Sequence, residues 1–232
     1  MRGPGKTETR IVQKALECGA SLAGITGVEA LAASRSYAGG KRIACAEKGH
    51  SLLVLSLAQG GHWPEFDWWD SQPGCTQGNR RLAKIMDQVI HWLGEKEQIQ
   101  SWALPYNIEK GGIFLKGAAI LAGLGTIGKN NLLITPAFGP RVRLRAILIA
   151  EELTQTRAGE FNPCESCDRS CHRACPQEAF ESGVFDRKRC SIQMRIDKLA
   201  RGAVIGEMGG PCLEALIKYC RACELACPLT GP

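Results

Sequence analysis

The feature that constrains this chain most is its cysteine spacing. Residues 164–176 read CESCDRSCHRACP and residues 220–228 read CRACELACP. Written as spacings, the first run is Cys164-x2-Cys167-x3-Cys171-x3-Cys175-Pro176, and the second is Cys220-x2-Cys223-x3-Cys227-Pro228. A short C-x2-C loop lets successive thiolates converge on one inorganic centre. The proline after the last cysteine turns the chain away and sends that sulfur to a neighbouring centre. This is ferredoxin-type ligation, and two such runs imply two [4Fe–4S] clusters with crossed ligands. The first run carries one residue more than the ferredoxin spacing between its second and third cysteines, so its loop must bulge.

Two clusters need eight thiolates, and the runs supply seven. The eighth is expected to be Cys190, in RKRCSIQMRID, with Cys212, in GGPCLEALIK, as its competitor. The expected sets are Cys164, Cys167, Cys171 and Cys227 on one cluster, and Cys175, Cys190, Cys220 and Cys223 on the other. Structural zinc also uses C-x2-C pairs. It explains neither the two Cys-Pro closures nor the triple-cysteine runs. Cys18, Cys45 and Cys75 stand alone and read as ordinary thiols.

The compartment supports metal over disulfides. The most apolar stretch, GGIFLKGAAILAGLG (111–125), is short, carries Lys116 and contains five glycines, so it is not a membrane span. The opening MRGPGKTETR has charge but no apolar core, which argues against a signal peptide. A cytoplasmic chain with no membrane partner is expected, and there a dense cysteine framework binds metal. The net charge of +6 is too mild to mark a nucleic-acid binder by itself.

Hydrophobic periodicity predicts a helix over 7–20, with Thr7 as its N-cap, and an amphipathic helix over 78–96 through Leu82, Ile85, Met86, Val89 and Leu93. Buried strands are expected at 21–26 and 51–57, a short strand at SWAL, an apolar helix near 112–122, and strands near 131–135 and 141–149. The last strand alternates so that Arg141, Arg143 and Arg145 share one face. These elements predict an α+β sandwich around a mixed sheet in residues 1–153. Residues 154–232 hold too few large apolar side chains for a core of their own and form the cluster module.

AGLGTIGKNNLLITPAFGPRVRLRAILI (122–149), followed by the two cysteine runs with RKRC between them, resembles the epoxyqueuosine reductase family. That family comprises cobalamin-dependent iron–sulfur reductases of tRNA modification, related in fold to reductive dehalogenases. The resemblance implies a nitroreductase-like domain that binds cobalamin above a two-cluster ferredoxin-like module. It also implies ferredoxin or flavodoxin as electron donor, a small or nucleoside-like substrate, and tRNA as a candidate partner. Counting back from AGLG to the family's catalytic aspartate reaches Glu109, which the resemblance makes the proton donor in an apolar pocket. The chain is expected to be a short form lacking the family's C-terminal helical-repeat domain.

GLGTIG (123–128) satisfies a dinucleotide-binding pattern, but a helix precedes it where a strand is required. Asn130 also stands where a P-loop needs Ser or Thr. Gly123, Gly125, Thr126, Ile127, Gly128, Lys129 and Asn130 are instead read as a loop that lets backbone approach a corrin, or as a plain tight turn. The tryptophan-rich 61–74 is either a lid or an aromatic anchor. The arginine face and DRKRC either attract phosphate or an acidic donor protein, or are merely solvated. Three function classes follow: a cobalamin-dependent reductase, an electron carrier that reactivates a corrinoid partner protein, and a zinc-stabilised RNA-binding module.

Overall fold

The computed structural model describes residues 5–34, 49–59, 67–70, 72–73, 75–157, 159–200 and 216–229. Cys45, Cys212 and Trp63 lie outside them. By compactness the chain divides into two units. One comprises residues 1–58, 82–126 and 142–161, and the other 59–81, 127–141 and 162–232. Where the sequence suggests a single cut near 154, the second unit also takes in 59–81 and 127–141.

In the first unit, strand β2 (Ser51–Ala58) is buried at seven successive positions, so both faces of its sheet are covered. It pairs with β1 (Leu22–Gly27) on one side and β6 (Val142–Ile149) on the other, and β3 (Ser101–Ala103) adds to β6. The order is β1-β2-β6-β3, and every pairing is antiparallel. The mixed sheet expected from sequence is therefore not found among the described residues, while the α+β class stands.

Helix α1 (Lys6–Glu17) packs on β1. Its N-cap is Gly5, not Thr7, which lies one residue inside the first turn. The short α2 (Val28–Ala32) and α4 (Leu115–Leu121) pack on each other and on β1. Helix α3 (Gln77–Trp92) continues into one π-helical turn, Leu93–Glu97, which ends at Gln98 in the left-handed region. Leu82, Ile85, Met86, Val89 and Leu93 are all buried, as their spacing predicts. Each fully buried Leu or Ile of this kind contributes about 1.5–3 kcal/mol. The Thr156 hydroxyl accepts from the Ile25 amide and donates to the Ala122 carbonyl, fastening β1 to the end of α4.

Arg145 departs from the solvated face expected of it. It is buried, with its guanidinium 4.7 Å from the Tyr106 ring centre, because strand β6 lies inside the sheet.

Strand β5 (Leu133–Ile134) pairs with β4 (Thr126–Ile127), and the helices of the second unit are α5 (Ser170–Arg173), α6 (Arg187–Leu199) and α7 (Ala222–Leu225). Among the described residues no helix is long and apolar enough to cross a membrane.

Candidate metal centre

The bulge required by the first cysteine run is found at Arg169, whose backbone is left-handed (φ 61°, ψ 36°) at the N-cap of α5. This conformation is uncommon for a bulky side chain, and its neighbours hold it. Asp168 accepts from the Ser170 amide (3.2 Å) and hydroxyl (2.7 Å), and it pairs with Arg173. These partners hold the Asp168 carboxyl far below the usual carboxylate range. The turn sends Cys171 inward, where it is buried, while Cys164 and Cys167 are half-buried.

After α5 the chain reaches Cys175, whose sulfur accepts from the Ala179 amide at 3.4 Å. His172 stacks on Phe180 (4.6 Å between ring centres), and its Nε2 lies 3.0 Å from the Lys129 carbonyl. Asp186 caps α6 by accepting from the Lys188 and Arg189 amides. The helix thereby presents Cys190, Gln193 and Asp197 on its inner, half-buried side. Asp197 accepts from Gln193 (2.8 Å) and from the Cys220 amide (2.7 Å), which ties the second run to the helix bearing Cys190.

The thiols sort by mutual influence into two groups. Burial pushes Cys171 up first, and Cys227, Cys167 and Cys164 push it further. Burial likewise raises Cys227, with Cys164 and Cys167 adding to it, while the Leu229 amide and Arg141 act against them. Cys190 is raised by burial, then by Cys175 and Cys220. Cys223 is pushed up to about 12 by burial, then by Cys220, Cys175 and Cys190. One neighbourhood is thus Cys164, Cys167, Cys171 and Cys227, and the other is Cys175, Cys190, Cys220 and Cys223. Among the described residues no three such ligands converge tightly enough for a single metal ion.

Several residues other than the cysteines position these segments. Arg221, between Cys220 and Cys223, forks onto Asp67 (2.8 Å), Gln59 (2.6 Å) and Glu224. Gln59 also donates to Asp67 (2.6 Å), and both are buried. Asn130, 3% exposed, donates to the Cys223 carbonyl (3.3 Å) and accepts from the Leu132 amide (3.1 Å). Gly139 has φ 54°, and a Cβ there would lie 1.5 Å from the Leu229 carbonyl oxygen, so the chain after Cys227-Pro228 runs directly over it.

Trp69 and Ile217 form a backbone bridge, Trp69 meets Tyr219 edge-on at 5.5 Å, and the Lys218 ammonium sits 3.9 Å over Trp68. These two tryptophans anchor their segment to the approach to Cys220.

Of the expected glycine-loop residues, Lys129 and Asn130 therefore meet the cysteine segments. Gly123 has φ 77° at the end of α4. A Cβ on Gly128 would strike Ile134 and the Asn130 side chain, so the chain's own packing asks for glycine there. Glu109 is exposed on the 3-10 turn Ile108–Lys110 of the first unit, without the apolar surround expected of it. Two surface clefts, of about 470 and 480 Å³, are lined by residues such as Ile90, Gln98 and Trp102, and Cys18, Gln88 and His91. None of the expected site residues lines either.

No family model matches the sequence. It is 31% identical over 148 residues to an epoxyqueuosine reductase of Gloeobacter violaceus, covering 63% of this chain and 44% of that protein. The chain is epoxyqueuosine reductase-like. It is also 31% identical over 121 residues to the tetrachloroethene reductive dehalogenase of Sulfurospirillum multivorans, which is 48% of this chain and 23% of that one. The chain thus spans less than half the length of these curated relatives.

Solved structures agree in fold at lower identity. An epoxyqueuosine reductase with an epoxyqueuosine-modified tRNA stem loop superposes with a TM-score of 0.66 at 19% identity, over 97% of this chain and 65% of that one. A reductive dehalogenase whose structure suggests a mechanism for B12-dependent dehalogenation gives 0.67 at 21%, over 99% and 32%.

Proposed function

We propose that this epoxyqueuosine reductase-like chain is an iron–sulfur oxidoreductase with two [4Fe–4S] clusters. The first is held by Cys164, Cys167, Cys171 and Cys227, and the second by Cys175, Cys190, Cys220 and Cys223. The observation that carries this reading is the separation of these eight thiols into two neighbourhoods of four, with Cys175 crossing from the first run to the second group. When bound, the clusters supply one-electron transfer at low potential.

The chain's own residues do the rest. Arg169 and Asp168 bend the first loop, Asp197 and Arg221 fix the second, and Gly139 admits the closing segment. The raised thiols mean that loading releases protons, because each ligand must be deprotonated to bind iron. The Ala179 amide donates to the Cys175 sulfur, and hydrogen bonds of this kind would be among the levers that set the potential of a cluster held there.

We infer cobalamin as the electron acceptor from the kinship with the reductases and the B12-dependent dehalogenase. It supplies the reductive chemistry when bound. The substrate class proposed is small or nucleoside-like, tRNA included, and Glu109 is the proposed proton donor. The test is anaerobic titration of the iron-loaded protein with cob(II)alamin, read by its absorption spectrum. Saturable binding supports the reductase.

A second reading is favoured by Glu109, which is exposed and not enclosed in an apolar pocket. On it the protein carries electrons to a corrinoid partner and binds no free corrin. Absence of binding at high micromolar cobalamin decides for this carrier.

A further inference from the structure

Helix α6 has a second face, and neither the cysteine motifs nor the proposed chemistry uses it. Its inner side carries Cys190, Gln193 and Asp197. Its outer side carries Lys188, Ile192, Arg195, Ile196 and Leu199, all exposed, at spacings that align them in one stripe. Ile192 is 40% exposed, Ile196 48% and Leu199 85%, and no residue of this helix is buried. Lys198 is also exposed beside the stripe. The one carboxylate of the helix, Asp197, is engaged inward by Gln193 and the Cys220 amide.

We propose that this face docks a small acidic electron-donor protein, which passes electrons to the cluster held in part by Cys190. The inference rests on the two-cluster reading and adds where electrons enter. Three cations and no outward carboxylate complement an acidic surface and steer its approach. Three exposed aliphatic side chains in the same stripe suit the dry centre of a protein interface, where a phosphate backbone offers nothing apolar to meet them. A helix is about 10–12 Å across with its side chains, so a partner on the outer face lies about one helix width from Cys190. In the step itself one electron leaves the reduced donor and enters the oxidised cluster, with no proton or bond exchanged.

The experiment mixes reduced plant-type [2Fe–2S] ferredoxin with the oxidised, iron-loaded full chain in an anaerobic stopped-flow instrument, after iron has been assayed. The wild-type second-order rate should fall with added salt. In Lys188→Glu/Arg195→Glu/Lys198→Glu it should drop at least about tenfold at low ionic strength and lose its salt dependence. Ile192→Ser/Ile196→Ser should slow transfer while keeping the salt dependence. Both variants should retain wild-type iron content and be reduced at the wild-type rate by photoreduced deazaflavin, a small uncharged donor.

Ferredoxin rates unchanged in both variants would overturn the proposal while leaving the clusters in place. So would a wild-type dimer that Ile192→Ser/Ile196→Ser dissociates, or a tRNA stem loop that binds wild type but not the charge-reversed chain. A wild-type chain that takes up no iron would overturn the cluster reading as well.

Discussion

Replacing Arg221 with alanine takes a guanidinium away from a buried carboxylate. The Asp67 side chain is 4% exposed, and the Arg221 guanidinium contacts it at 2.8 Å while also holding Gln59 and Glu224. Gln59 still donates to Asp67 after the substitution, so the carboxylate keeps that hydrogen bond but loses the Arg221 guanidinium. Removing one partner of a buried ion pair costs about 3–5 kcal/mol. Most of the loss comes from the Asp67 contact, and Glu224 adds less, because its side chain is 15% exposed. Arg221→Lys keeps the charge but cannot fork between Asp67 and Gln59, so a smaller loss is expected.

The assay is anaerobic urea unfolding of the iron-loaded protein, with iron per chain measured alongside. The decisive comparison is Arg221→Ala against Arg221→Ala/Asp67→Asn. If the loss comes from the charge on Asp67, neutralising it should restore part of the stability. A double variant no more stable than Arg221→Ala, or an Arg221→Ala chain as stable as wild type, would refute the reasoning.

Gly139→Ala forces a methyl group against the Leu229 carbonyl and holds alanine in the left-handed region, which alone costs about 1–2 kcal/mol. A lower melting temperature and loss of the centre that uses Cys227 are expected, read by thermal unfolding and iron content. Cys190→Ala should leave about four irons per chain, half the complement of two cubes, with the magnetic resonance signal of one centre lost. The iron-free protein should lose stability as pH rises. Its raised thiols favour folding fully below their ordinary value of 9.0 and cease to do so as pH climbs towards about 12, where Cys223 titrates. Urea midpoints at about pH 8 and about pH 10.5 should differ for the iron-free chain and much less for the loaded one, whose ligands are already deprotonated.

The nearness of Cys164, Cys167 and Cys171 was legible in the sequence because their spacing is local. Cys164 to Cys175 sit within a dozen residues, and even the bulge that Arg169 provides is visible as one extra position. The helix through Leu82, Ile85, Met86, Val89 and Leu93 was legible for the same reason, since its period lies within one segment.

What spacing cannot carry is partnership across the chain. Arg221 finds Asp67 and Gln59 more than 150 residues away, and nothing about Arg221 itself announces the pair. Gly139 stands in no motif, and its need for glycine comes from the segment after Cys227 lying across it. Alternation put Arg145 on a face and was silent on whether that face would meet water. Strand direction in the sheet depends on which strands become neighbours, and periodicity does not contain that. Glu109 was reached by counting along a resemblance, and its exposed turn shows how little such a count says about surroundings.

The central claim is that eight cysteines of this chain hold two [4Fe–4S] clusters. Its most direct test is anaerobic reconstitution of the full chain with iron and sulfide, then reductive titration followed by electron paramagnetic resonance with metal analysis of the same sample. The expected result is about eight irons per chain and two low-potential centres, one lost in Cys171→Ala and the other in Cys190→Ala. Stoichiometric zinc with no iron, or a single centre abolished equally by both variants, would contradict it.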